Sequence, residues 1–265
     1  SSADMIMLFL AIETTSIPLY ILAGFMKGDD KSTESGLKYF LFGALTSAVM
    51  LYGFSLLYGF SGDTNIYRLS EAMYAGAVSP WLIGGMAVLV LVGFSFKISA
   101  VPFQFWAPDV YEGAPTPITS FISTASKAAG FAVLLRFMLA VFPAIEAEWV
   151  TLLAIIATVT MTLGNLLALP QTNIKRLLAY SSIAHAGYAM IGLVALSPFG
   201  TASVIFYLIG YVVTNTAAFA VVILFARSAG SDEIVDYAGL SRRSPGLALV
   251  LLVALLSLGG MPPLA

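Results

Sequence analysis

The chain has 265 residues, of which 59% are hydrophobic and 10% charged, with a formal net charge of −2 and a mean hydropathy of +0.94. Soluble domains carry about 25% charged residues, so a soluble globular fold is excluded, and the absence of a basic surplus gives no reason to expect a nucleic-acid partner. No cysteine is present, which excludes disulfides, thiolate metal sites and iron–sulfur clusters within this chain.

Apolar runs of about 20 residues recur along the chain, each long enough to cross a bilayer as a helix. The expected fold class is therefore an all-α polytopic membrane protein, with one transmembrane domain over residues 1–265. Eight transmembrane helices are predicted, at about 5–26, 36–60, 82–106, 117–142, 149–169, 174–197, 201–227 and 246–265. Short linkers make consecutive helices antiparallel neighbours in one bundle.

In chain order, the first span carries Glu13 and, five residues on, Pro18, whose ring frees the carbonyl of Thr14 and predicts a helix break there. The third carries Lys97, and Pro102 stands in the same relation to it. Pro102 has no N–H and clashes with the carbonyl of Ile98, which predicts a broken helix near Lys97. The fourth span carries Lys127 on a stripe with Thr119, Ser123, Ser126 and Gly130. The sixth places Ser181, His185 and Tyr188 together, and the seventh Tyr207, Tyr211, Thr214 and Asn215. In the eighth, "SLGGMPPLA" predicts a further helix break at Pro262 and Pro263. That span stops before any flanking charge and the chain has no initiator Met, so it is expected to be a piece of a longer protein.

Basic residues set the expected orientation. Lys27, Lys31, Lys38, Lys175, Arg176, Arg227, Arg242 and Arg243 fall on one side, and Arg68 and Arg136 on the other. The positive side is expected in the cytoplasm, with Ser1 outside, as in a bacterial cytoplasmic membrane. Trp81, Trp106 and Trp149 lie at predicted span ends, where an aromatic belt is expected.

Glu13, Lys97, Lys127 and His185 each fall within roughly 5 Å of the centre of their segments, at about 1.5 Å of rise per residue, and Asn215 does likewise. A central Lys or Asp costs roughly 2.5–3.5 kcal/mol on insertion scales. One reading is a buried Glu13–Lys97 ion pair that holds the bundle together, but such pairs stabilise poorly. The other is a hydrated path for ions, because ionisable groups inside membranes are functional by default. Ser and Thr stripes fit ordinary interhelical hydrogen bonding as well, though that leaves two lysines unexplained. His185 fits equally a structural hydrogen bond and a group that switches near neutral pH. Broken helices beside ionisable groups are a common way to build ion sites in transporters.

The stretch "KISAVPFQFWAPDVYEGAPTPITSFIS" resembles the antiporter-like membrane subunits of respiratory complex I, the proton-pumping NADH:quinone oxidoreductase. Within that group it is similar to the N-type subunits; the M- and L-type subunits and the Mrp antiporters usually read closer to W-L-P-D-A. "SADMIMLFLAIETTSIPLYILAGF", "ESGLKYFLFGALTSAVMLYGFSLLYG", "SKAAGFAVLLRF", "NIKRLLAYSSIAHAGYAMIGL" and "LLSLGGMPPLA" match in family order. The resemblance implies a fold of about fourteen helices with two inverted five-helix repeats, of which this chain supplies the fifth to the twelfth. It implies a proton relay through Glu13, Lys97, Lys127 and His185, with Ser123, Ser126, Ser181, Tyr188, Tyr211 and Asn215 as a supporting polar path. It further implies a translocase subunit with no redox centre, cofactor or metal in this chain. The implied partners are the other membrane-arm subunits of complex I, neighbouring antiporter-like subunits and the lipid bilayer. Two alternatives are an Mrp-type cation/proton antiporter subunit and a structural membrane scaffold with buried ion pairs.

Overall fold

The computed structural model describes residues 2–74 and 78–261, and nearly all of them are helical. In chain order come α1 (Met5–Ala23), α2 (Asp30–Ser61), the short α3 (Ile66–Tyr74), α4 (Pro80–Ile98), α5 (Trp106–Gly113), α6 (Thr116–Phe121), α7 (Lys127–Val141), α8 (Glu146–Ala168), α9 (Ile174–Val194), α10 (Pro198–Ala229), the single-turn α11 (Leu240–Arg243) and α12 (Pro245–Leu258). A π-helical turn, Ile122–Ser126, joins α6 to α7. Among the described residues seven helices are long and apolar enough to cross a membrane, α6 to α7 counting as one. The predicted eighth span begins as α12, which has 14 residues. Pro262 and Pro263, and Ser1 at the other end, lie outside the described residues.

Local chemistry explains where the helices start. Asp4 caps α1 by accepting from the Ile6 and Met7 amides, both at 2.9 Å, and Thr64 donates to the same carboxylate. Asn173 caps α9 through the Lys175 and Arg176 amides, and Ser197 caps α10 ahead of Pro198. These caps satisfy amides that have no partner inside the helix. Long apolar surfaces remain exposed on α1, α2 and α10, as lipid-facing helices require. Between helices the packing relies on small residues, since lipid gives little hydrophobic drive. Gly164 of α8 lies against Ala184 of α9, and Gly187 of α9 lies against the Ala157 carbonyl of α8.

Three expectations need correction. α1 runs unbroken through Pro18. Removing one bond in an otherwise intact ladder does not interrupt the helix, and Thr14, Thr15 and Ser16 bond back to carbonyls one turn earlier. The break near Lys97 is present, but the third span does not run as helix to residue 106: α4 ends at Ile98 and α5 starts at Trp106. Trp106 is no interfacial residue. It is 2% exposed, stacked on Tyr39 at 4.4 Å, with its indole donating to the Phe96 carbonyl. Trp149 is equally buried, whereas Trp81 is 92% exposed and fits the belt.

Candidate functional site

The break between α4 and α5 positions Lys97. Ser99 takes up a left-handed conformation at φ 61° and ends α4, with Lys97 in its last turn. A cation there complements the negative end of the helix dipole. The non-helical backbone is tolerated at this depth because protein groups satisfy it. The Ser99 amide bonds the Phe96 carbonyl, the Ala100 amide the Ser95 carbonyl, and the Val101 amide the Thr160 hydroxyl of α8. Pro102 needs no partner for an N–H, and the Val101–Pro102 peptide is cis.

Lys97 is half-buried, and its Nζ donates to Ser16 Oγ at 2.8 Å. The anticipated contact with Glu13 is not direct: Glu13 accepts from Ser47 of α2 at 2.5 Å, and no oxygen of Glu13 comes within 4.0 Å of Lys97 Nζ. Ser16 stands one turn beyond Glu13 on α1, so it places a hydroxyl where a direct ion pair was expected. The aliphatic stem of Lys97 passes Gly130 of α7, where an added Cβ would sit 3.2 Å from Lys97 Cγ. Gly130 is one turn past Lys127, so it is what lets the two lysine-bearing helices come together.

Lys127 is 2% exposed and opens α7 directly after the π turn. Its Nζ donates to the Ser182 carbonyl at 2.7 Å and to Ser182 Oγ at 2.5 Å. Tyr211 OH donates to the same Oγ at 2.8 Å, and Tyr111 OH lies 3.1 Å from it. Wide turns of this kind inside helices recur at functional sites. Here the Ser123 and Thr124 hydroxyls both bond the Ser120 carbonyl, occupying a group that the widened turn leaves behind.

His185, one turn after Ser182, bonds Tyr207 through Nδ1. Its ring also meets Tyr211 at 5.3 Å and Tyr188 edge-on at 5.5 Å. A cavity of about 300 Å³ opens beside it, lined by His185, Tyr207, Tyr211, Thr214 and Ser257 among others. Asn215, 1% exposed, donates to the Tyr211 carbonyl and leaves its Oδ1 without a protein partner among the described residues.

A second polar cluster sits where α5 meets α2 and α9. Asp109 Oδ1 accepts from Arg176 at 2.8 Å and its Oδ2 from Lys38 at 2.5 Å. Glu112 gives Oε2 to Arg176 at 2.9 Å and Oε1 to Lys31 at 2.6 Å. Lys38 also meets Glu34. α5 lies outside the seven spanning helices. Burial pushes Asp109 and Glu112 up, but hydrogen bonds and charge from Lys38, Lys31 and Arg176 outweigh it and hold both carboxyls below their ordinary values. A carboxylate lowered in this way contributes stability above its unfolded pKa and loses it as the pH falls through the folded value. Amide exchange across 106–113 in the full-length protein, corrected for intrinsic rate, is expected to stay flat from pH 7 to 5 and to rise below about pH 4. Unchanged protection at pH 3 would count against the cluster as the anchor of α5.

The predicted site residues divide between those that meet and those that stay apart. Lys127, His185, Tyr211 and Asn215 converge between α7, α9 and α10, and Lys97 joins them across Gly130. Ser126 is bonded to Tyr39 of α2, and Ser123 to its own helix. Tyr188 is 36% exposed and accepts from Asn165 of α8 at 2.6 Å. Ser181 is half-buried and makes none of these bonds. Its neighbour Ser182 makes the bonds to Lys127, Tyr211 and Tyr111 instead, and spacings of three and four residues both satisfy a helical stripe, so the sequence could not separate the two. Ser16, Ser47, Tyr111 and the Asp109–Glu112–Arg176 cluster were missed. For the cluster a signal existed: two acids three apart inside an apolar chain, with a Lys-Arg pair on a later helix.

The family described as the transmembrane part of NADH:quinone oxidoreductases and Mrp antiporters matches residues 2–265. Over 265 residues the chain is 51% identical to NADH-quinone oxidoreductase subunit N of Moorella thermoacetica, covering 100% of this chain and 56% of that protein. A chain of respiratory complex I from Thermus thermophilus with bound aureothin superposes with a TM-score of 0.81 at 40% identity, over 99% of this chain and 56% of that one. A chain of the archaeal membrane-bound sulfane sulfur reductase superposes with a TM-score of 0.92 at 28% identity, over 99% and 53%. The chain thus spans about half the length of the curated relatives it matches. Matched over nearly its full length, it belongs to the NADH:quinone oxidoreductase/Mrp antiporter transmembrane family.

Proposed function

We propose that this chain is part of a proton-translocating N-type subunit of an NADH:quinone oxidoreductase. Redox chemistry in other subunits drives protons along its midplane relay. The observation that carries this reading is a lysine, Lys127, 2% exposed inside a spanning helix and, among the described residues, bonded only to a hydroxyl and a carbonyl group. An ammonium held by neutral acceptors can give up its proton without stranding a partner charge. Ser16, one turn beyond Glu13, holds Lys97 on one side, Lys127 follows across Gly130, and His185 with Tyr207 and Tyr211 continues toward the cavity beside α12. The unpaired Asn215 Oδ1 supports a hydrated path, since buried polar atoms are otherwise satisfied.

The complete subunit would hold about fourteen helices in two inverted repeats, beside other antiporter-like subunits of the membrane arm. It would sit in a bacterial cytoplasmic membrane. The end that carries Lys31, Lys38, Lys175 and Arg176 would face the cytoplasm. Redox centres, and the binding of NADH and quinone, belong to other subunits in this reading.

A second reading, an Mrp-type antiporter, shares the same family description. The two separate in inverted vesicles that carry the full-length protein in its complex. Acidification driven by NADH and indifferent to Na⁺ is expected. Na⁺-dependent proton exchange without NADH would favour the antiporter instead.

A further inference from the structure

The charged cluster on α5 and the hydroxyl network around Lys127 join the same two helices at two heights. Asp109 and Glu112 grip Arg176 of α9. Between them in sequence, Tyr111 reaches Ser182 of the same helix. Arg176 and Ser182 are six residues apart, about 9 Å along α9. Fixing the lower contact therefore fixes where the Tyr111 hydroxyl lies against Ser182. Lys38 and Lys31 tie the same two carboxylates to α2, and Lys175 holds the Ala114 carbonyl at the end of α5 at 3.1 Å.

Hydrogen-bond counting then assigns Tyr111 a role. A serine hydroxyl has one O–H to donate and two lone pairs with which to accept. Ser182 Oγ accepts from Lys127 and from Tyr211, so both lone pairs are used. Its proton is left for the Tyr111 oxygen, 3.1 Å away. Donation to Tyr111 polarises Ser182 and makes it a better acceptor for a charged lysine. Tyr111 is fully buried, with rings of Trp106 and Phe219 against it, and it reaches Lys127 through Ser182 Oγ.

We propose that Tyr111 is a positioning residue for the charged form of Lys127, and that the Asp109–Glu112–Arg176 cluster is what holds it in place. This rests on the relay reading above. The other charged or titratable groups facing Lys127 are Tyr211 from α10, His185 from α9, Lys97 from α4 across Gly130, and Tyr39 from α2 through Ser126. None of them accepts the Ser182 proton.

The test uses the full-length protein in its complex, with NADH-driven acidification of inverted vesicles recorded against pH per assembled complex. Tyr111→Phe keeps the ring and removes the acceptor. The alkaline limb of its profile is expected to move acidward by roughly half to one pH unit. Arg176→Gln is expected to move it the same way, and the double variant no further than Tyr111→Phe alone. Arg176→Lys, which keeps the charge without the planar fork, is expected to recover part of the shift. Should Tyr111→Phe not assemble, Arg176→Gln alone carries the test through the cluster, and a profile in it that superposes on wild type would overturn the proposal. A profile that superposes on wild type, or shifts of Arg176→Gln and Tyr111→Phe that add, would overturn the proposal. Lys127→Ala in the same vesicles separates the two levels. If it pumps normally, the relay reading itself fails. If it does not pump while Tyr111→Phe matches wild type, only the positioning role fails.

Discussion

Replacing Lys127 by methionine is expected to lower NADH-driven proton translocation by the parent complex at least about tenfold while leaving the complex assembled. The two effects part because of how Lys127 is buried. At 2% exposure its ammonium has only Ser182 to bond, and no carboxylate comes within ion-pair distance among the described residues. Removing a buried charge in favour of an apolar side chain of similar volume is often neutral or stabilising, and Ser182 keeps Tyr211 as a partner. A scaffold role predicts the reverse, with reduced assembly and normal pumping in whatever assembles. Complex content from quantitative blotting, set beside acidification per NADH oxidised, distinguishes the two.

The largest effect on stability is expected at Gly113. A Cβ there would lie 2.1 Å from the Lys31 carbonyl oxygen and 2.7 Å from its carbon. Both are backbone atoms, which cannot turn aside as a flexible side chain would, so Gly113→Ala must push α5 away from α2. Overpacking of this kind costs about 1–3 kcal/mol, and the displacement also strains the Lys31–Glu112 and Lys38–Asp109 bridges. The assembled complex is expected to fall by about tenfold. Gly85→Ala is the matched control: nothing lies within 4 Å of its added Cβ, and unchanged content is expected. Equal content in the two variants would show that α2 and α5 are not locked as described.

The membrane character, the helix order and the break after Lys97 were legible because they follow from composition, apolar run length and proline chemistry. The limits of the break were not. Ser99 ends α4 three residues before Pro102, and the Phe96 carbonyl and the Val101 amide are satisfied by Trp106 and Thr160, which are brought there by tertiary folding. Pro18 looked equivalent to Pro102 by spacing, yet α1 continues through it. A proline removes one bond, and whether the helix then breaks depends on what surrounds it. The π turn before Lys127 had no signal either, for no glycine or proline marks residues 120–126. Depth along a helix could be read from the sequence, whereas phase around it could not. That is why Ser181 was named in place of Ser182, and why Glu13 was expected on Lys97 where Ser16 stands.

The most direct measurement is the ratio of protons moved to NADH oxidised in inverted vesicles whose assembled complex carries Lys97→Ala. If Lys97 lies on the relay, the ratio is expected to fall while NADH oxidation and complex content stay near wild type. A wild-type ratio at wild-type assembly would contradict the relay and leave Lys97 and Ser16 as a structural contact between α4 and α1.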